Sequence, residues 1–353
     1  MSDRRSSLPF PKWPLRDQIR WTAAFATKDL LDVTCPCVHW RPATIATVEE
    51  GYGYALAWLV SQDFLDPQFD PGERWFPDRL RAYIRFLQAS LSPATVLNRI
   101  IALERALAVL EPAMDRAFLR CAICKLPCTV DSARKRARLR EPADLFELGL
   151  QLMDEALKRP MTNARKNAAV YRDGLQIALL AMRPFRIRNF ASIRKGTHLR
   201  PQGAGWRLVF KASETKTSQQ IDVAFPTELV SALQTYLDHF RLLLAGDKYT
   251  GDRLWVGYYF TPLAAHSMRL NIYKRTSKAF GVPINPHLFR DCAATSIAVH
   301  DPAHVRIAAA VLGHRSFATT EKFYNLANTI EAGRGYTDVI EKRRLRAKKT
   351  KRS

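Results

Sequence analysis

Residues 133–140, Ala-Arg-Lys-Arg-Ala-Arg-Leu-Arg, constrain the fold more than any other stretch of this chain. Five of the eight are cationic (Arg134, Lys135, Arg136, Arg138 and Arg140) and they follow no helical face. A charge run of this kind is a solvated surface, and it lies here between two long regions of apolar periodicity. Two separate cores are therefore expected on either side of it, and 353 residues at 47% hydrophobic content can bury both. Glu141-Pro142 ends the run with a helix-start signal. Before it, segments near 44–60, 77–89, 93–111 and 115–126 read as amphipathic helices. Ser92-Pro-Ala-Thr95 opens the third, and Leu97, Ile100, Ile101, Leu103 and Leu107 give it an apolar stripe. The division expected is 1–40 as an unassigned extension, 41–132 as a helical domain, 133–141 as a linker, 142–328 as a second domain and 329–353 as a tail.

Charge narrows the partner. There are 55 Lys+Arg against 33 Asp+Glu, a formal +22 and a pI near 10.1, the footprint of a nucleic-acid binder. A membrane partner is disfavoured, because no apolar run nears the roughly 20 residues that span a bilayer and the N-terminus lacks a signal-peptide core. The six cysteines do not form a secreted disulfide framework. Cys35-Pro-Cys37-Val-His39 and Cys121, Cys124 and Cys128 could supply zinc ligands, but 121, 124 and 128 also follow one helical face. Buried free thiols are the preferred reading, with zinc as the alternative.

The second domain carries the chemistry. Asn285-Pro286 starts a helix on which His287 and Arg290 share one face. Asp301-Pro302 opens another that Gly313 can close, leaving His314 at the turn, and Thr319-Thr320 can cap a short helix bearing Tyr324. Upstream, Leu179–Ile193 offers Arg183, Arg186 and Arg188. Trp206–Phe210 and Ile221–Phe225 alternate as half-buried strands, and Glu214-Thr-Lys216-Thr-Ser218 forms the hairpin tip between them.

This order of Arg, Lys, His-x-x-Arg, His and Tyr resembles the catalytic domain of the tyrosine recombinases, the phage-type integrases. Residues 312–324, Leu-Gly-His-Arg-Ser-Phe-Ala-Thr-Thr-Glu-Lys-Phe-Tyr, match the family's LGH…TT…Y stretch. Three positions depart from the common pattern: Asn189 replaces an acid three residues after Arg186, Asp291 stands where many members have histidine, and Tyr324 follows His314 by ten residues instead of nine. The resemblance implies a mainly α fold with a small antiparallel β-sheet, in which a helical core-binding domain precedes a mixed α+β catalytic domain. It also implies site-specific cleavage and rejoining of DNA through a 3′-phosphotyrosyl intermediate.

Tyr324 would be the nucleophile, with Tyr336 a distant second choice. Arg186 and Arg290 would bind the non-bridging oxygens as permanently charged forks. His287 and His314 would add hydrogen bonds or proton transfer, and Lys216, with Lys211 as rival, would protonate the leaving 5′-hydroxyl. Arg183 and Arg188 are expected to meet solvent or phosphate backbone. No metal, ATP or other cofactor is required by this chemistry. The implied partner is double-stranded DNA, contacted by the linker residues Arg134, Lys135, Arg136, Arg138 and Arg140 and held by a homotetramer, with or without partner recombinases, in the bacterial cytoplasm at the nucleoid. Residues 331–340 would dock on a neighbouring protomer, and the basic stretch 342–352 would touch phosphates. The alternatives are a type IB topoisomerase and an accessory DNA-binding protein with a decayed site.

Overall fold

The structure, a computed structural model, describes residues 6–26, 37, 39–127 and 135–301, together with 325, 332, 339 and 340. His314, Tyr324, Tyr336 and Arg134 lie outside the described residues, as do the helix expected after Asp301, the basic stretch 342–352 and all of 331–340 except residues 332, 339 and 340. The chain divides into two compact units, Met1–Ala133 and Arg134–Ser353.

The described part of the first unit is all helical: α1 (Leu15–Ala26), α2 (Pro42–Ser61), α3 (Pro77–Gln88), α4 (Pro93–Leu110) and α5 (Ala117–Lys125). Proline opens α2, α3 and α4 at a position whose N–H has no helical partner, so its missing donor costs nothing there. Ser92 caps α4 by accepting from the Thr95 N–H at 3.3 Å. Gly51 lets α2 approach α4 closely, since a Cβ there would sit 2.3 Å from Ala102 Cβ.

The segment left unassigned by sequence belongs to this core. Trp13 and Trp21 are buried against Tyr52 and their neighbours. Asp17 on α1, fully buried, accepts from Arg74 Nη1 at 2.7 and 3.0 Å and from the Tyr52 hydroxyl at 2.7 Å. Arg74 also donates to the Asp66 and Phe69 carbonyls. A buried charge is tolerated only when paired and saturated in this way.

The second unit is built on α6 (Pro142–Lys158) and α7 (Ala164–Met182), whose crossing is set by two glycines. A Cβ on Gly149 would meet the Gly174 carbonyl oxygen at 2.7 Å, and a Cβ on Gly174 would meet that of Gly149 at 2.7 Å. The short α8 (Ile187–Ala191) follows, then a three-stranded antiparallel sheet, β1 (Leu199–Gln202), β2 (Gly205–Phe210) and β3 (Ile221–Ala224), in the order β1-β2-β3. The register pairs Leu199 with Leu208 and Phe210 with Ile221. Helices α9 (Val230–Thr235) and α10 (Arg241–Ala245), joined by a π-helical turn, α11 (Ala265–Phe280) and α12 (Pro286–His300) complete the described part. Gly281, at φ 70°, caps α11 in the left-handed region that favours glycine.

Helices with a small antiparallel sheet are the fold class the sequence implies. The free-thiol reading needs correction in part. Cys292 is buried, and burial pushes its thiol up to about 11. Cys121 and Cys124, however, are free but exposed, because α5 buries only Leu119 and turns these two positions to solvent. Cys37 is buried and disulfide-bonded, its other half lying outside the described residues. Among the described residues no group of three His, Cys, Asp or Glu is placed to hold a metal ion.

Candidate active site

Arg290 comes to the site on the first turns of α12. Asn285 caps that helix, its side-chain oxygen accepting from the His287 N–H at 3.0 Å and the Leu288 N–H at 3.1 Å. Three residues separate His287 from Arg290, yet their environments differ: His287 is exposed and Arg290 is buried. Arg290 Nη1 donates to the Pro184 carbonyl at 2.6 Å, which fixes the guanidinium against the loop that follows α7.

That loop leads directly into Arg186, the N-cap residue of α8, held in extended backbone at φ −66° and ψ 134°. Trp255 anchors α8 by donating its indole N–H to the Phe190 carbonyl at 2.9 Å. Arg186 Nη1 reaches Thr217 Oγ1 at 3.4 Å, at the long limit of a hydrogen bond. Arg186 and Arg290 line one cleft of ≈ 600 Å³, with Arg183, Asn189 and Thr217 among its other walls. Burial lowers the Arg186 pKa. Burial first, and then the like charge of Arg186, push Arg290 down to about 10, with Asp291 acting in the opposite sense. Two guanidinium groups brought together in a partly desolvated cleft form a site for a doubly contacted anion, and phosphate is the group whose geometry two such forks fit.

The hairpin bearing Lys216 is braced from the same helix. Asn189 Nδ2 donates to the Glu214 carbonyl at 3.1 Å. The Glu214 carboxylate accepts from the Lys211 N–H at 2.8 Å and lies 2.9 Å from Nε2 of the buried His198. His198 Nδ1 accepts from the Arg194 N–H at 3.0 Å, so the ring proton is on Nε2 and points at Glu214. These contacts hold the Glu214 carboxyl below the usual carboxylate range. Thr215, buried, donates its hydroxyl proton to the Gln219 carbonyl at 2.8 Å and accepts from the Gln219 N–H at 3.0 Å. Lys216 is exposed between two anchored threonines, and Lys211 is exposed at the other end of the brace.

Arg186 and Arg290 are therefore brought to one cleft, whereas Lys216 and His287 are exposed and are not among its lining residues. Arg183, read from sequence as a solvent or backbone contact, lines the cleft as well, while Arg188 is exposed. The linker cations are partly engaged within their own unit. Lys135 pairs with Asp291 at 2.8 Å, and Arg138 donates twice to the Pro283 carbonyl. Arg140 donates to the Ala137 and Leu139 carbonyls, and Arg136 is exposed. Sequence reasoning did not find the Pro184 carbonyl, Thr217, or the His198–Glu214 brace. A proline after arginine was a signal for the first, since it forces an extended turn; a lone histidine gives none.

Residues 151–329 match the model of the phage integrase family, so the chain belongs to that family of site-specific DNA recombinases. No curated protein matches it. Among solved structures it is similar to the XerH site-specific recombinase bound to a palindromic difH substrate in a post-cleavage complex, with a TM-score of 0.57 and 17% identity over 82% of this chain and 79% of that one. It is also similar to a lambda integrase (75–356) dimer bound to a COC′ core site, with a TM-score of 0.53 and 13% identity over 87% and 94%. The Tn1549 transposon integrase in complex with circular intermediate DNA gives 0.51 and 12% identity over 88% and 94%. At these identities the likeness is one of fold. No described helix is long and apolar enough to cross a membrane.

Proposed function

We propose that the cleft holds the scissile phosphate of double-stranded DNA, and that this chain breaks and rejoins strands through a 3′-phosphotyrosyl link to Tyr324. The observation that carries the proposal is the convergence of Arg186 and Arg290 on one partly buried cleft, each oriented by a neighbouring oxygen. In-line attack by the Tyr324 oxygen forms the O–P bond and breaks the bond to the 5′-oxygen of the next nucleotide. Charge builds on the two non-bridging oxygens, where the two fixed forks stabilise it most. An unperturbed phenol ionises near pH ~10 and attacks poorly at neutral pH, so the same cations must also favour the phenolate.

His287 and His314 are assigned hydrogen bonding or proton transfer at the phosphate, and Lys216 delivers the proton to the departing 5′-hydroxyl. Lys216 is carried on a loop that begins at Glu214, whose carbonyl is held by Asn189 of α8 and whose carboxylate is held by His198, so the base of the lysine is positioned from the same helix that carries Arg186. Rejoining is the reverse reaction with a new 5′-hydroxyl, and the phosphotyrosyl bond conserves the energy it needs. Arg136, Lys135, Arg138 and Arg140 are assigned to the DNA backbone, with Arg136 the most available, and binding should weaken steeply with salt. A homotetramer on two DNA sites, at the nucleoid, is the assembly this chemistry requires for strand exchange.

Nicked suicide DNA carrying the recombination site tests the reading. The full chain should form a covalent adduct in the presence of EDTA, and Tyr324→Phe should form none while binding DNA nearly as well. Adducts from Tyr324→Phe but not from Tyr336→Phe would move the nucleophile, and relaxation of supercoils without exchange between two sites would favour the topoisomerase.

A further inference from the structure

Two side chains that do not line the Arg186–Arg290 cleft fix the frame on which Lys216 stands. His198 lies just before β1, and Glu214 lies in the β2–β3 connection two residues before the lysine. The His198 ring is buried, stacks on Phe210 with centroids 4.8 Å apart, and is oriented by the Arg194 N–H, which donates to Nδ1 at 3.0 Å. Its one remaining donor, the Nε2–H, goes to Glu214 Oε1 at 2.9 Å. Oε2 of the same carboxylate accepts from the Lys211 N–H, and the Glu214 carbonyl accepts from Asn189 Nδ2. Three oxygens of one residue are thus held from three segments of the chain.

Stability does not account for this arrangement. The Glu214 side chain is 39% exposed, and a carboxylate so open to water gains little from a partner. An apolar side chain could fill the place against Phe210 without a donor to satisfy. What the contact does fix is geometry. Beyond Glu214 the buried Thr215 exchanges two hydrogen bonds with Gln219, so that only Lys216, Thr217 and Ser218 remain in the tip. Ser218 sits at φ 52°, in the left-handed region that is costly for a residue other than glycine. A strained residue persists only where its surroundings over-determine it. Within the tip, the 3.4 Å contact between Arg186 and Thr217 is at the long limit of a hydrogen bond, so the restraint comes from the base, which is Glu214.

We propose that His198 is a positioning residue of the strand-transfer reaction, acting through the Glu214 carboxylate to place the Lys216 ammonium at the departing 5′-oxygen. The proposal rests on the reading of Lys216 as the proton donor. In cleavage the bond from phosphorus to the 5′-oxygen breaks, its electron pair stays on that oxygen, and Lys216 Nζ supplies the proton. In rejoining the same nitrogen takes the proton back as the 5′-oxygen attacks phosphorus and the bond to Tyr324 breaks. His198 exchanges no proton in either direction, because its Nε2–H stays with Glu214. Its effect is confined to leaving-group protonation, while charge on the non-bridging oxygens remains the task of Arg186 and Arg290.

The test uses the full chain and two suicide DNAs carrying the recombination site, one with the natural 5′-oxygen at the scissile phosphate and one with sulfur in that bridging position. A thiol ionises near pH ~8.5, so the sulfur departs as thiolate and needs no proton donor. On the oxygen substrate Lys216→Ala should cleave slower by about 10²-fold or more, the scale of a lost general acid. His198→Leu, which misplaces that acid, should cost about 10-fold or more. His198→Gln keeps a donor near the position of Nε2 and should stay within about 3-fold of wild type. The double variant Lys216→Ala/His198→Leu should be no slower than Lys216→Ala, since a group that is gone cannot be misplaced. On the sulfur substrate both single losses should largely vanish. Glu214→Ala, at an exposed position, should give the same pattern and decides the matter if His198→Leu does not fold. An equal loss on both substrates would make the brace merely structural and overturn the proposal, as would an undiminished rate on oxygen. If Lys216→Ala stayed slow on sulfur, the lysine would lose its role and the proposal would fall with it; rescue of Lys216→Ala but not of His198→Leu would sink the proposal alone.

Discussion

Arg290 should burden the fold that it serves. Its side chain is nearly buried, at 7% exposure, and burial together with the like charge of Arg186 lowers it from 12.5 to about 10. At about 1.4 kcal/mol per decade, the charged guanidinium is about 3 kcal/mol worse placed in the unliganded fold than in the unfolded chain. The sign follows from proton counting. Below pH 10 both states hold the proton, so the cost is constant through the physiological range, and it is relieved only above pH 10, where the folded state would release the proton first. Against it stands the charge-assisted bond to the Pro184 carbonyl, on the order of 1.5–3 kcal/mol.

Arg290→Met keeps the bulk, removes the charge and leaves one carbonyl unpaired. Its net effect should therefore be small, within about 2 kcal/mol of wild type and of either sign, where breaking an ordinary buried ion pair costs roughly 3–5 kcal/mol. Cleavage should fall by about 10²-fold or more, the scale of one preorganised transition-state donor. Sulfate, which can occupy the phosphate position, should raise the melting temperature of the wild-type catalytic unit and raise that of Arg290→Met much less. Calorimetry with and without sulfate, beside single-turnover cleavage of nicked DNA, measures all three. A loss above about 3 kcal/mol in Arg290→Met, with the sulfate response intact, would refute the picture of a strained anion receptor.

Other outcomes follow from the same geometry. Arg186→Ala should slow cleavage by about 10²-fold, whereas Arg183→Ala, removing a residue that lines the cleft without the contact to Thr217, should cost much less; the reverse ranking in a single-turnover assay would exchange their roles. Asn189→Asp returns a charge to the position where the family pattern has an acid but deletes the donor to the Glu214 carbonyl, so cleavage should slow, by about 10-fold, with DNA affinity retained. Because Glu214 titrates below the usual carboxylate range, its brace to His198 and Lys211 is fully formed above that range and lost as pH falls through the lowered value. Protection of the β2–β3 loop amides, measured against their intrinsic exchange rates, should therefore fall with acid in the wild type and already be reduced at pH 7 in Glu214→Ala. Asp17→Ala strands the buried Arg74 charge and should destabilise the helical unit by roughly 3–5 kcal/mol, with Asp17→Leu/Arg74→Met recovering most of it by urea titration.

What sequence could and could not show follows from how far apart the interacting groups lie along the chain. Asn285-Pro286 and Ser92-Pro93 were legible because capping is local: the side chain and the N–H groups it serves are two or three residues apart. The strands 206–210 and 221–225 were legible because alternation is local too. β1 was missed because it buries only Leu199 and carries Pro201, tolerable at a sheet edge but without alternation to read. The exposure of Cys121 and Cys124 was misjudged because helical spacing says that residues share a face, not which face meets the core. Asp17, Tyr52 and Arg74 are hidden for a different reason. They are 35 and 57 residues apart, and each alone reads as an ordinary surface or core residue. His198 is hidden in the same way, since nothing local announces that a histidine beside β1 will hold Glu214 near the tip of another hairpin. The arginines Arg186 and Arg290 fall between these cases. Their order along the chain matches a family pattern, but their burial, their mutual repulsion and the carbonyl that orients one of them arise only when α8, α12 and the Pro184 turn are packed together. Chemistry that depends on residue type can thus be read from a sequence, while chemistry that depends on desolvation waits for the fold.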